Sequence, residues 1–163
     1  MKTKEIKKKT VLVIEDERPL LAVVNEKLSK NGFDVINARS VDQVFDANLE
    51  KNGLGIITAK SITQALAYLD NLGNVDAIWL DHNLLGKENG LDLVKKFKAN
   101  GGRWKGVPIF VVSNTDTSRT VQSYVKLGVS KYYVKSNHRL DEIIKDIKVS
   151  LERPKRKGVK ARA

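Results

Sequence analysis

Short apolar runs alternate along this chain with segments patterned for amphipathic helices, and that alternation restricts the fold more than any other feature. The runs "VLVI" (11–14), "VDAIWL" (75–80), "VPIFVV" (107–112) and "KYYV" (131–134) have the length and composition of buried strands. Helical patterns stand between and after them: "PLLAVVNEKLSK" (19–30), "GLDLVKKFKA" (90–99), "SRTVQSYVKLG" (118–128) and "LDEIIKDIKVSLE" (140–152). The last of these puts Leu140, Ile143, Ile144, Ile147 and Leu151 on one helical face. Pro19 suits a first helical turn and Gly128 a helix end. Strand and helix alternating at these lengths imply βαβ units, and hence an α/β, doubly wound parallel sheet covered on both faces. Ligands of such sheets collect beyond the carboxyl ends of the strands.

One stretch exceeds that simple count. "KNGFDVINARSVDQ" (30–43) recurs as "KNGLGIITAKSITQ" (51–64) at a constant offset of 21, with seven identical positions. Each copy reads as a short strand followed by an amphipathic helix, so the expectation is a tandem duplication spanning 30–49 and 51–70. It adds a βα unit to the five strands of the sheet.

Composition narrows the functional classes. The chain has no cysteine, which removes disulfide frameworks and thiolate metal sites. No apolar run approaches a membrane span, and the N-terminal lysines precede a strand rather than a signal-peptide core. A cytoplasmic location is the resulting expectation. Of the net charge of +11, residues 1–9 carry +4 and residues 152–163 carry +5, leaving +2 for the body. The basicity is therefore confined to two tails around a nearly neutral domain, 10–151. Without interleaved aromatics, such tails are a weak nucleic-acid signal.

The strand ends carry the chemistry. The first run leads into Glu15 and Asp16, the run at 75–80 into Asp81, the run at 107–112 into Ser113, and the last into Lys135. In a parallel sheet these converge on one rim. Crowded carboxylates require a cation, and an oxygen-only donor set with water suits Mg²⁺. His82 is read as a neighbour of that pocket, His138 and Trp104 as loop residues, and Trp79 as packing.

This set and order resemble the receiver domain of two-component response regulators, over roughly residues 10–150. The resemblance implies a flavodoxin-like receiver fold in which Glu15 and Asp16 help bind Mg²⁺ and Asp81 accepts a phosphoryl group from a histidine kinase or phosphotransfer protein. It further implies that the backbone carbonyl of Asn83 completes the metal's protein ligands. By the same resemblance, Ser113 and Lys135 would stabilise the phosphoryl group, and Tyr132, three residues before the lysine, would be the aromatic switch. The sequence departs from the family pattern at three places. Leu85 and Gly86 stand where a proline is usual, Gly90 comes one residue late, and Ser136 follows the lysine in place of a cis proline. A cis bond without proline is expensive, so a trans peptide is expected there.

The expected function is a phosphorylation-activated switch of the stand-alone type, since the residues after the last helix are too few for an output domain. It would signal through a partner protein or by phosphorelay, with a phosphorylation-dependent homodimer as a further form. Slow self-dephosphorylation would be its only catalysis, and it is not read as a dedicated enzyme. The alternatives are a phosphorylation-independent binding module, a protein acting on nucleic acid through its basic tails, and a metal-dependent phosphohydrolase.

Overall fold

In the computed structural model, which describes residues 8–15, 17–36, 75–84, 89–99 and 105–152, the three central strands of the sheet each contribute to two apolar layers. The described strands are β1 (Thr10–Ile14), β2 (Asp34–Ile36), β3 (Ala77–Leu80), β4 (Ile109–Ser113) and β5 (Lys131–Val134). All are parallel, in the order β2-β1-β3-β4-β5. Side chains alternate across a sheet. Leu12, Ile14, Ile78, Leu80, Ile109 and Val111 accordingly face one core. Val11, Val13, Ala77, Trp79, Phe110 and Val112 face the other. This explains why β1, β3 and β4 read as unbroken apolar runs: both their faces are buried.

The described helices are α1 (Arg18–Lys30), α2 (Gly90–Ala99), α3 (Ser118–Lys126) and α4 (Leu140–Glu152). Helices α2 and α3 supply Leu93, Val94, Phe97 and Tyr124 to the first core. Helices α1 and α4 supply Val24, Leu28, Ile143, Ile144 and Ile147 to the second. The doubly wound expectation is thus met. None of the described helices is long and apolar enough to cross a membrane. Pro19 lies in the first turn of α1. Gly128 follows α3 with φ of +82°, a conformation that glycine alone adopts without strain.

Two strands begin later than their apolar runs. Asp76 precedes β3, accepting the Thr10 N–H on its carboxylate at 2.8 Å and donating its own N–H to the Thr10 carbonyl at 2.9 Å. Pro108 precedes β4 because it has no N–H to give, and its carbonyl accepts the Ile78 N–H at 3.0 Å.

The first copy of the repeat provides β2, the outermost of the described strands on that side of β1. Phe33 and Val35 are buried there, with Val35 paired to Val11. The remainder of that copy and all of the second copy lie outside the described residues. Deleting 33–53 would put Leu54 and Ile56 at the positions of Phe33 and Val35, preserving the pattern that buries this strand. The deletion variant is expected to unfold cooperatively, within about 2 kcal/mol of the full chain, the scale of exchanging one or two buried apolar groups. Broad, non-cooperative denaturant unfolding would show that the copies are not interchangeable.

Candidate functional site

The order of the strands decides where the acids meet. The chain runs from β1 outward to β2, then returns to the other side of β1 as β3, opening a crevice at the carboxyl ends of β1 and β3. Glu15 follows β1 and Asp81 follows β3, and their side chains are buried, at 0% and 5% exposure by residue. Lys135, after β5, reaches across the rim between them. Its Nζ lies 3.1 Å from Glu15 Oε2 and 3.1 Å from Asp81 Oδ2. Asp81 Oδ1 accepts the Asn83 N–H at 3.2 Å, and Glu15 Oε1 accepts the Glu17 N–H at 3.1 Å.

The electrostatics follow from that packing. Burial, with the Asp81 carboxylate adding to it, raises the Glu15 carboxyl from 4.5 to about 7, against the pull of Lys135. Burial draws the Lys135 ammonium down, but the Asp81 and Glu15 carboxylates outweigh it and hold the ammonium above its ordinary value. The rim therefore holds more negative charge than one lysine neutralises. Its donors are oxygens only, which fits Mg²⁺ and not a thiolate- or imidazole-seeking metal. Asp16 lies outside the described residues, as do Leu85 and Gly86.

The other expected members are brought to the same rim. Ser113 is fully buried at the end of β4, and its Oγ accepts the Thr115 N–H at 3.3 Å. The Lys135 N–H donates to the Ser113 carbonyl at 2.8 Å. Tyr132 is half-buried and donates its hydroxyl to the Thr115 carbonyl at 2.7 Å, which ties β5 to the loop after β4. Burial raises its phenol, the Ser113 hydroxyl offsets part of this, and Asp81 and Asp116 add to it. Among the described residues no peptide is cis, so the Lys135–Ser136 bond is trans as expected.

Sequence reasoning passed over a neighbour of the rim, Tyr124 of α3. It is fully buried, and its hydroxyl is hydrogen-bonded to His82 Nδ1 at 2.7 Å. It is the buried residue of α3, and nothing local in the sequence shows that its oxygen points at the Asp81 loop. Gly90 makes room for it. A Cβ there would stand 2.6 Å from the Tyr124 hydroxyl and 2.8 Å from the Asp81 carbonyl. Since the carbonyl cannot swing aside, Gly90→Ala should cost about 1–3 kcal/mol of stability, as overpacking does. Equal denaturation midpoints for the variant and wild type would refute that tight approach. His138 stays in the loop after β5, edge-on to Tyr133 at 5.3 Å, and Trp79 is wholly buried. Trp104 lies outside the described residues.

A parallel sheet in this order, with buried acids after β1 and β3, a hydroxyl after β4 and a bridging lysine after β5, defines a receiver-type site. The profile of the response regulator receiver domain matches residues 39–148, and the chain belongs to that family, whose members serve phosphorylation-activated signalling. The matched span excludes β1, so the position of Glu15 rests on the sheet itself. The chain is 27% identical over 126 residues to chemotaxis protein CheY1 of Helicobacter pylori strain J99, covering 77% of this chain and 83% of that one. Its fold resembles that of the phosphorylated cyanobacterial phytochrome response regulator RcpA, at TM-score 0.64 and 23% identity, covering 87% and 92% of the two chains. It also resembles the Mn²⁺-bound form of response regulator Rcp1, at TM-score 0.66 and 22% identity, covering 90% and 96%.

Proposed function

We propose that this protein is a signalling switch whose phosphoacceptor is Asp81. The observation that carries the reading is Lys135 bridging Glu15 and Asp81 at 3.1 Å each, at the crevice beyond β1 and β3. An Asp81 carboxylate oxygen would attack the phosphorus of a phosphohistidine. The new O–P bond forms as the P–N bond breaks, and the departing imidazole takes up a proton. Lys135 would neutralise charge on the transferred group, and Ser113 would donate a hydrogen bond to it. Glu15, Asp16, Asp81 and the Asn83 carbonyl would hold Mg²⁺, which when bound supplies further neutralisation of the phosphoryl oxygens. That the similarly folded response regulator Rcp1 has a Mn²⁺-bound form is in keeping with a divalent ion in this protein.

The gain of a dianionic group beside Ser113 would draw its hydroxyl inward, and the Thr115 carbonyl that anchors Tyr132 would follow. The donor is a sensor histidine kinase or a phosphotransfer protein. The reader is a protein partner that recognises the altered face, a second copy of the chain being one form of it. The reading is tested by incubating the protein with a small phosphodonor and measuring its intact mass. One phosphoryl increment is expected with Mg²⁺ and none with a chelator. An unmodified mass under both conditions favours the phosphorylation-independent binding module.

A further inference from the structure

We propose that Tyr124 is a positioning residue that couples the Asp81 loop to Tyr132, through its hydroxyl on His82 and its ring against Tyr132, in parallel with the route through Ser113. The inference rests on Asp81 being the acceptor. His82 immediately follows Asp81 and is held at two points: its carbonyl accepts the Gly90 N–H at 3.0 Å, and its ring bonds the Tyr124 hydroxyl at 2.7 Å. The ring of Tyr124 lies between two others, with centroids 5.6 Å from His82 at 81° and 5.4 Å from Tyr132 at 48°. It is fully buried in the core beneath α3, so its hydroxyl cannot exchange His82 for water without opening that core. Burial raises the phenol, with Tyr132, Asp81 and Asp92 adding to the shift, and this keeps it protonated and able to donate.

A shift of the backbone at Asp81 therefore moves His82, and Tyr124 either follows or loses its buried partner. In both cases the surface against which Tyr132 packs changes. That is a coupling through one packed element with two arrangements, biased from the acceptor side.

The test follows the ring signal of Tyr132 by NMR, before and after phosphorylation, with the intact mass recorded on the same samples. Tyr124→Phe keeps the ring and removes only the hydroxyl, and His82→Leu removes its partner. Both are expected to show the phosphoryl increment, with the Tyr132 displacement reduced to about half or less, as for a coupling weakened by twofold or more. His82→Asn sets a polar atom at the place of Nδ1 and should restore the wild-type displacement, which a purely structural role for His82 would not require. A wild-type displacement in Tyr124→Phe overturns the coupling, and His82→Asn as deficient as His82→Leu overturns the hydrogen bond as its carrier. Wild-type protein that gains no phosphoryl mass overturns the acceptor reading and this inference with it.

Discussion

Lys135→Ala is expected to lower stability at pH 8 by about 3 kcal/mol in metal-free solution, the scale of breaking a buried ion pair from one side. Lys135 has a side chain only 14% exposed and bridges two carboxylates that are nearly out of water. The sign of the pH dependence follows from Glu15. Its folded value of about 7 lies above its ordinary 4.5, so its contribution to stability is fully present below 4.5 and declines as pH rises toward 7. Without the ammonium the folded value climbs further, so the variant goes on losing stability above pH 7, where the wild type has levelled off. Lys135 itself is held above its ordinary value, so in the wild type its contribution is intact at pH 8 and is lost only above 10.5. The gap between variant and wild type should widen from pH 7 to pH 9, and Mg²⁺ should narrow it by binding the folded carboxylates. Urea denaturation at several pH values, with and without Mg²⁺, reads this directly. A constant gap across that range would mean that Lys135 acts through packing and not through charge.

Asp81→Asn should have the opposite profile, with function lost and stability kept or raised. The amide cannot form the acyl phosphate, so phosphoryl incorporation from a small donor should fall to background. Meanwhile one of the two carboxylates crowding the rim is gone, and with it the repulsion that helps hold Glu15 near 7. Lys135 retains Glu15 as its partner. The denaturation midpoint at pH 8 should therefore equal or exceed that of wild type. A phosphoryl increment that survives in this variant would remove Asp81 as acceptor. Together the two variants separate chemistry from folding, because one loses phosphorylation in a stable protein and the other loses stability through charge.

The parts of this fold that were legible were those written locally. Runs such as Val11–Ile14 are apolar on both faces because both faces are buried, and their carboxyl ends are marked by Glu15, Asp81, Ser113 and Lys135. Parallel pairing then suffices to bring those ends together. The bridge from Lys135 to Glu15 spans 120 positions, and only the sheet order makes it close. What escaped was written non-locally. The His82–Tyr124 bond joins residues 42 apart on a loop and a helix, and a tyrosine in a helical pattern gives no sign of where its oxygen points. Gly90 read as a displaced family glycine, whereas its packing against Asp81 and Tyr124 is what excludes a side chain. The repeat was visible as sequence similarity, but pattern alone could not say which copy pairs with β1. Residues 34–36 pair with β1 and assign that strand to the first copy.

The central claim is that a phosphoryl group resides on Asp81, and borohydride trapping tests it most directly. Wild-type protein is treated with a small phosphodonor and Mg²⁺, reduced with borohydride, digested and sequenced by mass spectrometry. Reduction of an acyl phosphate converts the modified aspartate to homoserine, so the chemistry marks the position without any substitution. Homoserine is expected at position 81 and nowhere else, and not at all when Mg²⁺ is chelated. Homoserine at another carboxylate, or unchanged Asp81 in protein that carries the phosphoryl mass, would contradict the assignment.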